Sequence, residues 1–265
     1  MANELLRVEN VRKYFTVQRG LWRRDTGLVK AVDDVSFSIK SKEVLGLVGE
    51  SGSGKTTIGK IIAKMILPDS GKIYFQSRDI ADFSHRDLAA KIQLIFQNPF
   101  ASLNPKLSVG AILKETLVNR HRINKTSFTK NQISEEAEAL IQLVGLLPDT
   151  LKHYPHQFSG GQQQRIGIAR ALAMQPQLII ADEPVSSLDI SIQAQILNLI
   201  ADLKEKLGVS FLFISHDLSV INFIADQVAV MYQGKIVESG PTEKIIHSPE
   251  NAYTQKLLDS VLAVN

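Results

Sequence analysis

Cysteine is absent from this chain. That excludes disulfides, thiolate metal sites, cysteine-ligated iron–sulfur clusters and cysteine nucleophiles, and it suits a cytosolic setting. Long apolar runs are missing as well. Nothing approaches the ~18 consecutive apolar residues of a membrane span, and "FLFI" and "QLII" have the length of buried strands. The first residues, "MANELLRVEN", lack the basic-then-apolar build of a secretion signal. Nor is there a large excess of one charge. The net value is +3, so nucleic-acid binding is not demanded, while a mildly basic face toward phosphates or a membrane surface fits. No internal repeat or low-complexity segment stands out. What remains is a soluble chain of 265 residues, 44% of them apolar, enough for one large domain or a core with an insert.

The first part of the chain is rich in strand signals. "LLRVENV" and "VDDVSFSI" alternate, and "EVLGLV" suits a strand buried on both faces. The polar, basic stretch 18–27 between the first two is expected to be a loop. After Gly54 the pattern becomes helical through "KTTIGKIIAKMI" and stops at the turn "PDSG" (68–71), with "KIYFQ" as the next strand. Residues 98–157 read as mostly helical, "ISEEAEALIQLVGLL" showing helical spacing with an acidic first turn. Strand and helix then alternate through "LIIADEP", "SIQAQILNLIADLKEKLG" and "VSFLFISHD", the pattern of a parallel sheet covered on both faces. "VAVMYQGKIVESG" reads as a hairpin turning at Gln233–Gly234. The expected organisation is a core made of 1–97 and 158–240, a helical insert 98–157, and a short helical tail 241–265.

Residues 49–56 carry G-x-x-x-x-G-K-[ST] between a buried strand and a helix, the context in which that pattern holds phosphates. Glycines let the backbone curl so that successive N–H groups face an anion, and the helix adds its positive end. The loop Gly49, Glu50, Ser51, Gly52, Ser53, Gly54, followed by Lys55, Thr56 and Thr57, is therefore a candidate nucleotide site. In it Lys55 would reach the β- and γ-phosphates and the Thr56 hydroxyl would ligate Mg²⁺. A merely flexible Gly/Ser turn would need neither the strand nor the Lys–Thr pair.

"LIIADEP" sets Asp182 and Glu183 at the carboxyl end of a second buried strand, where open α/β sheets bind ligands. Asp182 suits Mg²⁺ and Glu183 suits polarising a water, although solvated acids also end strands. Ser159 reads as the N-cap of a helix opening on Gly160 and Gly161, which makes a second anion site or a plain cap. Gln97 borders the helical insert, and His216 ends the strand "VSFLFIS". Each has a structural reading alone, as does Asp189, a candidate N-cap.

In this order the phosphate loop, Gln97, "FSGGQ" (158–162), "IIADEP" (179–184), "SSLD" (186–189) and His216 resemble the ATP-binding-cassette (ABC) ATPases over nearly the whole chain. The resemblance implies an α/β fold: a P-loop NTPase core with a parallel sheet, an N-terminal antiparallel β-subdomain and the inserted helical subdomain. It implies ATP and Mg²⁺ as ligands. By the same resemblance, Phe15 in "VRKYF" stacks on adenine, with Tyr14 the next candidate. Gln97 senses Mg²⁺ and the γ-phosphate. Ser159, Gly160, Gly161 and Gln162 clasp ATP bound to an opposite subunit. Glu183 is the catalytic base, Asp189 communicates across the dimer, and His216 is the γ-phosphate switch.

"LIFQNPFASLNP" (94–105), "HYPHQFSGGQ", "VSSLDISIQAQILNL" and the tail "NAYTQKLLDSV" look like the ATPases of oligopeptide and dipeptide importers, a group that includes nickel, glutathione and antimicrobial-peptide systems. The implied partners are a second ABC ATPase, paralogous or identical, two membrane permease subunits and, through them, a substrate-binding protein, with no nucleic acid. The segment Gln97–Pro105 would push the permease. The implied location is the cytoplasmic face of the cell membrane. Many members continue into a Cys-bearing extension; a chain ending at Asn265 without cysteine is expected to be a compact one. A soluble ABC ATPase of translation or repair is disfavoured, because no second cassette or coiled-coil insert is present. A regulatory module with a dead site is disfavoured by the presence of Lys55, Asp182, Glu183, Ser159 and His216.

Overall fold

The computed structural model describes residues 4–19, 25–98 and 103–262. The chain forms two compact units, one made of Met1–Phe83 with Ser210–Asn265, the other of Ser84–Val209.

In the first unit, β1 (Glu4–Arg19) and β2 (Asp25–Lys40) form a long antiparallel pair, β1 also pairing β4 (Ser70–Phe75). The short β5 (Arg78–Asp79) completes a sheet ordered β2-β1-β4-β5. This is the antiparallel N-terminal sheet expected above. Leu6, Val8, Val35, Ile39, Ile73 and Phe75 fill one side of it at 2% exposure or less. The expected loop at 18–27 is shorter than its composition suggested. Gln18 pairs with Thr26 and Arg19 with Asp25, since a two-stranded ladder propagates by backbone hydrogen bonds whatever the side chains. Residues 20–24 lie outside the described residues.

Between these strands come β3 (Val44–Val48), buried at every position, and α1 (Lys55–Ile62). The helix stops four residues before the expected Ile66. Lys64 takes the left-handed conformation at φ 58°, and its ammonium donates to the carbonyls of Ile80, Ala81 and Phe83 at 3.0, 3.0 and 2.7 Å.

The second unit opens with α2 (His85–Lys91) and β6 (Ile92–Ile95), which runs parallel to β7 (Leu178–Asp182). Between them α3 (Val109–Asn124), α4 (Lys130–Leu143) and α5 (Gly160–Ala173) pack through Leu113, Leu117, Ala137, Ile141, Ile166 and Ala169, with 3₁₀ turns at Pro148–Lys152 and Pro155–Gln157. This helical stretch matches the sequence pattern. The acidic pair Glu135–Glu136 does not lie in the first turn, because a Thr129–Gln132 capping box starts α4 at Lys130. α6 (Ile190–Leu207) closes the unit on Gly208.

Back in the first unit, β3 lies between β8 (Ser210–Ser215) and β9 (Gln227–Tyr232), parallel to both, and β10 (Lys235–Pro241) returns antiparallel to β9. The turn at Gln233–Gly234 has φ 45° and 83°, the positive pair a tight two-residue hairpin needs. α7 (Leu218–Ile224), α8 (Thr242–His247) and α9 (Ala252–Leu262) complete the unit. Parallel strands covered by helices, with a separate antiparallel sheet, give the α/β P-loop NTPase class.

Candidate nucleotide site

The loop 49–54 is shaped by what surrounds it. A β-carbon at Gly54, which sits at φ 108°, would lie 1.9 Å from the Ala31 carbonyl oxygen, and one at Gly49 would lie 2.0 Å from that of Met231. Gly54 caps α1 without any side-chain hydrogen bond, and a helix N-terminus of this kind favours anions. Lys55, 4% exposed, turns its ammonium into the loop. It donates to the carbonyls of Gly49 and Glu50 at 2.6 and 2.8 Å and to Ser53 Oγ at 3.4 Å. A buried cation inside a loop that leads into a helix N-terminus is the arrangement that favours anionic oxygens. The loop is also tied from outside: the Gly234 N–H donates to the Ser53 carbonyl at 3.0 Å, and the Glu50 N–H donates to the Tyr253 hydroxyl at 3.1 Å.

Tyr14 and Phe15, the two candidate adenine platforms, point to opposite sides of β1. The Tyr14 hydroxyl donates to Asp33 Oδ1 at 2.5 Å, which raises its pKa. Phe15 is 38% exposed, with the Lys13 ammonium 5.7 Å from its ring centre. Asp69 steadies that strand end, accepting from Lys13 Nζ and from the Tyr14 N–H, both at 2.7 Å. Of the two rings, the Tyr14 hydroxyl is engaged by Asp33 and Phe15 is the exposed one. His216 follows β8, exposed, ahead of Asp217, the N-cap of α7.

In the second unit, β7 delivers a buried Asp182 and then Glu183, which sits at φ 48°. A non-glycine residue there, followed by Pro184, is held against its backbone preference. The Gln97 amide donates to Glu183 Oε2 at 3.1 Å and to Ser186 Oγ at 3.3 Å, while Ser186 Oγ donates back to the Glu183 carbonyl at 3.2 Å. The structure thus brings Gln97 onto Glu183 across 86 residues of sequence. Residues 99–102, part of the segment expected to push a permease, lie outside the described residues.

Ser159 opens α5 with a capping box: its Oγ accepts from the Gln162 N–H at 3.4 Å and its N–H donates to Gln162 Oε1 at 3.0 Å. Gly161 lets this helix start press on the next one, since a β-carbon there would lie 2.4 Å from Ile192 Cγ2. Asp189 caps α6, accepting from the Ile192 N–H at 2.9 Å and the Ser191 hydroxyl at 2.7 Å. The signature Ser–Gly–Gly and Asp189 therefore stand at two neighbouring helix starts.

Two stability measurements check these caps. Ser159→Ala should lower unfolding free energy by about 0.5–1 kcal/mol, the low end of cap removal, because its bond is long; a denaturant titration reads it. The Ser191 hydroxyl and then the Ile192 amide hold the Asp189 carboxyl below the ordinary aspartate range. A depressed folded pKa stabilises fully above the unfolded value and is lost as pH falls through the folded one. The melting-temperature gap between wild type and Asp189→Ala should therefore be constant near neutrality and close below about pH 4.

Among the described residues, no three His, Cys, Asp or Glu side chains cluster as a self-sufficient metal site. A hydroxyl, one buried carboxylate and substrate phosphates are the usual donors for Mg²⁺; each unit carries one such protein donor, Thr56 in the first and the buried Asp182 in the second. Sequence reasoning gave Tyr253 no place in the site. Its partner Glu50 is 203 residues away, and the tail carried a subfamily likeness without a role.

Residues 32–186 match the family model described as ABC transporter. The oligopeptide transport ATP-binding protein AppF of Bacillus subtilis is 49% identical over 97% of this chain and 78% of its own length. The dipeptide transport ATP-binding protein DppF of Escherichia coli is 45% identical over all of this chain and 78% of its own. Among solved structures, the dimeric post-hydrolysis state of the ATP-binding cassette MJ0796 bound to ADP and Pi superposes with a TM-score of 0.75 at 28% identity, over 90% of this chain and 99% of that one. The cbiO1 structure from Clostridium perfringens shares the fold at a TM-score of 0.76 and 24% identity, over 94% and 92%.

Proposed function

This chain belongs to the ABC transporter family and is an ATPase, and from that premise we propose that it powers a bacterial importer of peptides. The observation that carries the ATP reading is the buried Lys55 ammonium, ringed by the carbonyls of its own loop ahead of an uncapped helix. The peptide reading rests on the full-length likeness to oligopeptide and dipeptide transport proteins.

In this reading the N–H groups of the loop 49–57, other than that of Glu50, which is held by Tyr253, receive the phosphates, Lys55 neutralises the β- and γ-oxygens, and Phe15 carries the adenine. Thr56, Gln97 and Asp182 would hold Mg²⁺, which when bound supplies charge for the β- and γ-oxygens. Glu183 takes the proton from the attacking water, and its bond from Gln97 tells the insert which state the site is in. His216 holds the γ-phosphate. Ser159, Gly160, Gly161 and Gln162 present a helix start to ATP on a second ABC subunit, and Asp189, on the adjoining helix start, relays between the two.

No helix among the described residues is long and apolar enough to cross a membrane. Two permease subunits at the cytoplasmic face of the cell membrane, fed by a substrate-binding protein, complete the proposed machine.

The test is to tag the chain at its native locus, purify it in mild detergent, and reconstitute the complex in vesicles. Two permease subunits should co-purify, and peptide-loaded binding protein should raise ATP turnover. Absence of any permease overturns the transport reading. Stimulation by nickel or glutathione instead of peptide overturns the cargo class.

A further inference from the structure

The phosphate loop is held by a residue from the far end of the chain. A trans peptide is planar, with its C=O and N–H on opposite sides. In the Gly49–Glu50 peptide both are engaged: the oxygen accepts from Lys55 Nζ at 2.6 Å, and the N–H donates to the Tyr253 hydroxyl at 3.1 Å. Rotating the N–H off Tyr253 would swing the carbonyl off Lys55. Because the rotation runs through Gly49, which has no β-carbon of its own to resist it, these two bonds, one on each side of the peptide, hold its direction.

We propose that Tyr253 is a positioning residue of the phosphate loop, acting through the Gly49–Glu50 peptide to set where the Lys55 ammonium stands. The inference rests on the reading of this loop as the ATP site.

Tyr253 is itself well anchored. Its N–H donates to Asn251 Oδ1 at 2.9 Å, and the N–H groups of Glu250 and Asn251 donate to the Glu238 carboxylate on β10 at 2.7 and 3.2 Å. Its ring lies 4.2 Å from that of Tyr232, at the end of β9. Burial pushes the Tyr253 pKa above the usual tyrosine value, so the hydroxyl stays neutral over the working pH range. Helix α9 is thereby tied both to the β9–β10 hairpin and to the loop, and its first turn acts as a strut.

The test uses the full chain and compares Tyr253→Phe, which keeps the ring and removes the hydroxyl, with Tyr232→Phe. The latter alters the same ring pair, but its hydroxyl meets Gln233 rather than the loop. MgATP binding by the wild type is measured first; no binding would overturn the ATP reading itself, before the variants are compared. With binding established, Tyr253→Phe should raise the KM for MgATP about five-fold, the worth of one neutral hydrogen bond, with kcat within about two-fold. Amide exchange of Glu50 should speed up, while the melting temperature and the Tyr232→Phe kinetics stay at wild-type values. A wild-type KM in Tyr253→Phe, or a fall in kcat and melting temperature at unchanged KM, overturns the proposal.

Discussion

Replacing Glu183 by glutamine should leave MgATP binding within a few-fold of wild type and cut hydrolysis by about 10²–10⁴-fold, the range of a lost general base. Glutamine keeps the shape, and its side-chain oxygen can still accept from the Gln97 amide, which now donates at 3.1 Å to Glu183 Oε2. The strained backbone at φ 48° is unchanged, since neither residue relieves it. What disappears is the anionic oxygen that takes a proton from water. If ATP closes two subunits and hydrolysis reopens them, the variant should elute as an ATP-bound dimer in gel filtration while wild type with ATP reverts to monomer. Phosphate release at the wild-type rate would sink Glu183 as the base. The backbone gives a second check: Glu183→Gly relieves the left-handed strain and should raise stability while losing turnover, which separates what the conformation costs from what the carboxylate does.

That strain was not legible in the sequence, although the position was. "IIADEP" marks a buried strand ending in acids, because the apolar run at residues 178–181 fills a strand buried on both faces before Asp182. It says nothing of the turn that aims the second acid, which depends on Ser186 and Gln97 meeting it. The same division holds elsewhere. Ser159 and Gln162 announce a capping box by local spacing alone, and the Gln233–Gly234 turn announces itself by residue type. The end of α1 does neither: Lys64 stops the helix by binding carbonyls 16 to 19 residues downstream. Tyr253 is the extreme case, because only the completed fold carries α9 to the phosphate loop. Chemistry-bearing residues were readable where they repeat a local motif. Gln97 was readable too, but its contact with Glu183, like that of Tyr253 with the loop, was not, because those partners are distant in the chain.

Gly54→Ala should be the most damaging single methyl in the first unit. The added carbon would meet the Ala31 carbonyl oxygen at 1.9 Å and Met231 Cε at 2.7 Å, at a backbone φ of 108° that L-residues rarely adopt. The methionine end can swing aside. The Ala31 carbonyl cannot move freely, because its neighbours Lys30 and Val32 are paired with Tyr14 and Lys13 of β1. The loop itself must therefore shift, carrying with it the first turn of α1 and Lys55, so ATP affinity should fall by about 10²-fold or more, roughly 2.7 kcal/mol. Gly52→Ala supplies the contrast. It too has a positive φ, 81°, but nothing lies within 4 Å of its would-be β-carbon, so the cost is the left-handed conformation alone, about 1–2 kcal/mol, and affinity should drop no more than about ten- to thirty-fold. Equilibrium binding and thermal melting of the two variants side by side read the difference. Equal losses would mean that contact with Ala31 does not fix the loop. A larger loss in Gly54→Ala, with a lower melting temperature, would show that β2 sets the curvature by which this chain holds its nucleotide.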